Sequence, residues 1–246
     1  MTPFPYCGAP PLPVDIWTRW NTDPVLLAAL PLLALAHVAI ARPAGRIVCL
    51  PVAWSLLALV FVSPFCALAS ALFAARTGHH LLLTAVIPPL LVLAGGFARL
   101  PAHRPMMLAL LHAAVLWAWH IPAAYALALA DTTIYWLMQA TLLATALPLW
   151  HAILARHAPV GPILAALALT LAQTGLLGAL LTFARTPLYA FHHATTWPWG
   201  LSPLADQQLA GALMWTLGAL PYLAAVLALV ATRLAPSEPA PPKAAR

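Results

Sequence analysis

Apolar runs of about 20 residues recur along this chain with only short polar breaks between them, and that length is what a helix needs to cross a bilayer. Such continuous runs rule out barrel strands, which alternate apolar and polar residues. With hydrophobic residues at 63% and charged residues at 7%, the chain sits far from soluble domains, which carry roughly 25% charge. The mean hydropathy of +0.91 says the same. The expected fold is therefore an all-α integral membrane protein. Its 246 residues allow roughly seven crossings joined by short loops.

The spans are expected from Pro24 to Ala41, Ile47 to Phe65, His79 to Phe97, Pro105 to Tyr125, Thr132 to Leu154, Val160 to Phe183 and Gln207 to Thr232. Pro64–Ala75 stays apolar past the second span, so that span either runs longer or is followed by a re-entrant turn. Residues 1–23 hold five prolines and lack the basic start of a signal peptide. Within them Trp17 and Trp20 suit the headgroup level, making 1–23 an interfacial segment. Residues 24–232 form the seven-helix domain, and the Pro/Ala-rich residues 233–246 are expected to be a disordered cytoplasmic tail.

Assigned alternately to the two faces, the basic residues fall unevenly. Eight lie on one side (Arg42, Arg46, Arg99, Arg104, Arg156, Arg233, Lys243, Arg246) and three on the other (Arg19, Arg76, Arg185). Basic loops stay cytoplasmic, so the N-terminus is expected outside and the C-terminus inside. The net charge of +6 is dispersed without a basic run, which does not point to nucleic acid. Cys7, Cys49 and Cys66 are scattered without a CxxC, so no disulfide framework is expected.

With that topology, polar groups converge on the outer end. The stretch Ser202–Trp215, SPLADQQLAGALMW, brings Asp206, Gln207 and Gln208 to the mouth of the seventh span. Gln207, Gly211, Met214 and Gly218 recur at helical spacing and share one face. Two readings stay open there: glycines for close helix approach with a capping Asp, or a site, since ionisable groups at membrane depth are usually functional. His79 and His80 open the third span and His120 closes the fourth, while Tyr135, Met138 and Gln139 share a face of the fifth. Adjacent His79 and His80 point about 100° apart, which favours one of them, His80, facing the bundle. His112 is expected as an uncharged core histidine, His192 and His193 as loop histidines, and His37, His103, His151 and His157 as cytoplasmic-end residues. Imidazole and thioether groups suit a soft metal such as copper, with amides and carboxylates orienting them. GxSxG, HExxH and phosphate-binding loops are absent from the sequence, which argues against an enzyme.

The blocks HLLLTAVIPPLLVLAG (His80–Gly95), WHIPAAYALAL (Trp119–Leu129), LLTFARTPLYA (Leu180–Ala190) and SPLADQQLAGALMW follow one another in an order that resembles the CtaG family of cytochrome c oxidase assembly factors, the multispan type associated with caa-type oxidases. The resemblance implies a non-enzymatic bacterial plasma-membrane protein that helps copper reach the catalytic subunit of a haem–copper oxidase. It implies that subunit, and a copper chaperone, as partners. Matching polar positions are His80, His120, Asp206, Gln207, Gln208 and Met214. The family tends to carry a second histidine where Arg76 stands, and an H-x-x-E-H pattern where this chain has Tyr135, Met138 and Gln139. Transient Cu(I) is expected on His80, His120 and Met214, with His79 in partial compensation. Asp206, Gln207, Gln208, Tyr135 and Gln139 would orient the ligands or meet the partner. Rival expectations are a small-solute or metal-ion transporter, a bis-histidine haem protein on His80 and His120, and a metal-free docking partner of the oxidase.

Overall fold

The computed structural model describes residues 5–41, 48–97, 100, 103–156 and 158–233. Arg42, Arg46, Arg99, His157 and the tail beyond Arg233, with Lys243 and Arg246, lie outside them. Every regular element among the described residues is helical: α1 Pro24–Ile40, α2 Cys49–Val62, α3 Pro64–Ala71, α4 Phe73–Leu81, α5 Ile87–Ala94, α6 Pro105–His120, α7 Pro122–Ala130, α8 Thr132–Ile153, α9 Val160–Thr182, α10 Pro203–Trp215 and α11 Leu220–Arg233, with short helical turns between. Large apolar side chains such as Leu110, Leu111, Leu176, Leu180 and Leu227 face outward. This is an α-helical membrane protein. Phe73–Ala94, Val160–Thr182 and Pro203–Thr232 are long and apolar enough to cross, and two bent pairs raise the number to five if each is one span.

Prolines set the bends. Ile121, forced to extended backbone by Pro122, breaks the expected fourth span into α6 and α7 at 74°. Ser63 ends α2, and its Oγ accepts from Phe65 N–H to start α3 at 51°. The apolar continuation past the second span is thus the separate helix α3. Pro88 and Pro89 supply no N–H, so α4 passes into α5 through a wide turn, Leu82–Val86, where Ile87 N–H bonds Leu82 O. The Thr84 carbonyl, which Pro88 cannot serve, accepts from Trp150 Nε1 at 2.9 Å instead. That bond ties the wide turn to α8.

The third span differs from expectation. It begins at Phe73, because Leu72 is extended and the Asp206 carboxylate from α10 accepts from Phe73 N–H at 2.7 Å and Ala74 N–H at 3.1 Å. His79 and His80 therefore lie two turns inside the helix and are buried, rather than opening it at a surface. Arg76, expected among the outer loop charges, sits within α4 at 0% exposure. The span ends at Ala94, before Gly95 at φ 100°.

Cysteine usage also departs from expectation: Cys7 and Cys66 form a disulfide. The cysteines are 59 residues apart, and only folding of the N-terminal segment onto α3 brings them together. Tyr6 stacks on Tyr135 and donates to Asp23 Oδ2, while Asn21 N–H and Nδ2 donate to the Val62 and Phe61 carbonyls that end α2. The Tyr6 hydroxyl, with the Val25 N–H, holds the Asp23 carboxyl below its usual range. Trp17 and Trp20 stay exposed.

Helices α9 and α10 pack at backbone distance. A Cβ on Gly178 would stand 2.8 Å from Gly211 O, and one on Gly211 would stand 2.5 Å from Gly178 O. Small residues permit this approach where lipid supplies no hydrophobic drive between helices. The expected stripe of Gln207, Gly211, Met214 and Gly218 is buried throughout, although α10 ends at Trp215 and Gly218 lies in the turn to α11.

Candidate functional site

The broken helices bring soft donors to one interior cavity. His80 from α4, His112 and His120 from α6 and Met214 from α10 line it, with Thr77, Thr84 and Thr174. Its volume of about 20 Å³ suits one water or one ion. The imidazoles are oriented by their other nitrogen. His120 Nδ1–H donates to Leu116 O at 2.7 Å, so its Nε2 keeps a lone pair. Thr145 Oγ1 gives its own proton to the Thr141 carbonyl and accepts from His112 Nδ1–H at 2.8 Å, leaving His112 Nε2 the same way. His80 Nε2 is buried without a partner. Held tautomers of this kind suit metal ligands. Yet the cluster is open: no three His, Cys, Asp or Glu side chains among the described residues are gathered closely enough to hold an ion.

His79 lies outside this cavity, edge-on to the Phe61 ring at 5.1 Å. Both its ring nitrogens are buried. Met138 is buried in the core. Tyr135 Oη donates to Cys7 Sγ at 3.4 Å, the sulfur having no proton of its own in the disulfide. Gln139 is buried, and neither end of its amide has a partner.

The polar head of α10 has a different job. Ser202 Oγ caps α10 itself by accepting from Ala205 N–H, which frees Asp206 to cap α4. Gln207 Oε1 accepts from Leu188 N–H at 2.7 Å and its Nε2 donates to Leu181 O at 3.4 Å. Gln208 Nε2 donates to Ala184 O at 3.3 Å. These three residues fasten α10 to α4 and to the chain leaving α9.

His192 is no free loop residue. Its Nδ1–H donates to Ala71 O at 3.1 Å, and its Nε2 accepts from Tyr125 Oη at 2.8 Å. Burial, with the Arg76 charge adding to it, pushes this imidazole down to about 4. His193 remains exposed. At the far end of the bundle, His37 is buried rather than interfacial, donating from Nε2 to Gly95 O and accepting from Trp54 Nε1.

Residues 27–235 match the model of the family described as cytochrome c oxidase caa3 assembly factor (Caa3_CtaG). The chain belongs to that family. No curated protein and no solved structure matches it. The family match spans α1 to α11 and so includes every residue that lines the cavity.

Sequence reasoning missed three members of this region. His112 is the buried, hydrogen-bonded core histidine expected, but its place in the cavity wall was not foreseen; the only signal was its i, i+8 spacing from His120 on one helix. Arg76 passed for a loop charge, although it sits three and four residues before His79 and His80. His192 carried no local signal, since both its partners are far away in sequence.

Proposed function

We propose that this family member serves assembly of a haem–copper oxidase in a bacterial plasma membrane by offering Cu(I) to the catalytic subunit from the outer face. The observation that carries the reading is the shared cavity of His80, His120 and Met214, which pools imidazole and thioether donors in a low-dielectric interior. An open, incompletely gathered set suits a cargo held briefly by few ligands better than a resident ion. In this reading the chain crosses seven times, with α1 and α8 joining the five candidate spans. The N-terminus is outside. Two independent features support that orientation: the bias of basic residues toward the opposite loops, and a disulfide at this end, which persists in an oxidising compartment.

The open cluster also favours a second reading, metal-free docking against the oxidase, in which Asp206, Gln207 and Gln208 keep the docking end in shape. Elemental analysis of the detergent-purified protein after Cu(I) loading under reducing conditions separates the two. Near-stoichiometric copper that falls to background in a His80→Ala/His120→Ala double variant, together with loss of oxidase maturation in cells, supports delivery. Intact maturation in that double variant refutes it.

A further inference from the structure

The cavity that pools the soft donors has a wall without negative charge. Imidazole, thioether, hydroxyl and apolar groups form it, and no Asp or Glu among the described residues lines it. A positive charge stands beside it. Arg76 is fully buried in α4, next in sequence to Thr77 and one turn before His80, both of which line the cavity. Its guanidinium lies 5.3 Å from the centre of the Tyr135 ring and donates to the Tyr125 and Tyr135 hydroxyls. Those neutral partners fix the group in place and leave its charge uncancelled.

No carboxylate pairs with it. Asp206, the buried acid of this end, spends both oxygens on Phe73 and Ala74 N–H. The ion pair found among the described residues joins Arg19 to Asp15, far out on the N-terminal segment. At His80 the Arg76 charge is felt and no acid acts beside it. A guanidinium stays protonated throughout biological pH, so this field on the cavity is permanent.

An incoming cation meets that field in proportion to its own charge. One helical turn along α4 puts the guanidinium on the order of 10 Å from the cavity ligands. At that range, with an effective dielectric constant of about 20, each unit of charge on the ion weakens its binding roughly tenfold. A monovalent ion then loses a factor of about 10 and a divalent ion about 100. We propose that Arg76 is a specificity-determining residue: its buried charge makes the cavity a filter that admits soft monovalent cations and rejects divalent ones. The proposal rests on the delivery reading, whose cargo is Cu(I), and adds a discrimination that the ligands lack. Imidazole suits zinc as well as copper, so donor chemistry alone does not keep divalent ions out. The same repulsion loosens the monovalent cargo, as release to a partner requires.

The test compares Cu(I) with Zn(II), both d10 ions, on the detergent-purified full chain under anaerobic conditions, each by competition with a chelator of known affinity. Arg76→Gln removes the charge and keeps an N–H donor for the tyrosines. It should tighten Cu(I) about tenfold and Zn(II) about a hundredfold, a tenfold swing in their ratio. Arg76→Lys keeps the charge and should keep the parent's ratio. Arg76→Met, neutral and of similar length, takes the place of Arg76→Gln if that variant does not fold. A merely structural arginine would change both affinities by one factor and leave the ratio alone. An unchanged ratio in a folded neutral variant that still takes up Cu(I) overturns the filter and leaves delivery standing. A swing in Arg76→Lys as large as in Arg76→Gln overturns it too. A parent chain that binds no Cu(I) overturns the delivery reading, and the filter with it.

Discussion

Replacing Gly211 by alanine tests the packing on which the whole outer end depends. The added methyl would stand 2.5 Å from Gly178 O and 2.6 Å from Thr182 N, and would also collide with Thr182 Oγ1. Two of those atoms are backbone within α9, so no rotamer change relieves the clash; the helices must part. Overpacking typically costs about 1–3 kcal/mol, and a contact against backbone belongs at the upper end, near 3 kcal/mol. Parting the helices also pulls the Thr182 hydroxyl away from Gln208 O of α10, to which it donates at 3.5 Å. Gly175, one turn away on α9, has nothing within 4 Å of an added Cβ, so Gly175→Ala should gain about 0.5–1 kcal/mol from helix propensity alone. The two variants, identical in chemistry, should therefore differ by about 4 kcal/mol. Denaturant or thermal unfolding of both in one detergent measures the gap. Equal stability of the two variants would refute the close α9–α10 contact.

Asp206→Ala leaves the buried Phe73 and Ala74 N–H groups without an acceptor and should cost about 3 kcal/mol, with hydrogen exchange rising first at the start of α4; unchanged exchange there would refute the cap. Removing the Cys7–Cys66 link by a double serine variant should cost about 4 kcal/mol for a loop of 59 residues, read as an earlier unfolding midpoint that reductant no longer lowers. His192 is held near 4 in the folded chain against 6.5 when free, so the unfolded chain takes the proton first. Its contribution is complete above pH 6.5 and is lost as pH falls from 6.5 to 4, amounting to at most about 3 kcal/mol. A His192→Gln variant should flatten that part of the stability–pH curve.

Helix boundaries were legible wherever the sequence itself ends a helix. Asp131, as cap of α8, and the proline-led starts of α1 and α6 lie where apolar runs and turn residues placed them. They were illegible where a distant side chain supplies the boundary. The start of α4 depends on Asp206, more than 130 residues downstream, and no local signal marks Phe73 as a helix start. Misplacing that start by six residues carried His79, His80 and Arg76 to a surface in the sequence reading, although all three are interior. The disulfide escaped for a related reason. Spacing rules detect cysteines that fold locally, and these meet through the docking of an N-terminal segment.

The residues expected as ligands and those expected beside them separate in the structure. Depth along the spans and the family resemblance singled out His80, His120 and Met214, and all three line one cavity. The same reasoning grouped Asp206, Gln207 and Gln208 with them, yet their side-chain bonds run to backbone groups that hold the helices in place. A polar side chain in a membrane interior must satisfy its hydrogen bonds, and freed helix ends compete for it with any ligand. Broken helices multiply those ends, and this chain breaks at Ser63, Leu72 and Ile121 around one region. The carboxylate and amides are consumed by that demand. Of the imidazoles, His37 and His192 spend both nitrogens on the fold, whereas His112 and His120 satisfy one locally and keep the other. Around this cavity it is therefore the two-nitrogen side chains, not the acids, that retain binding capacity after the fold has taken its share.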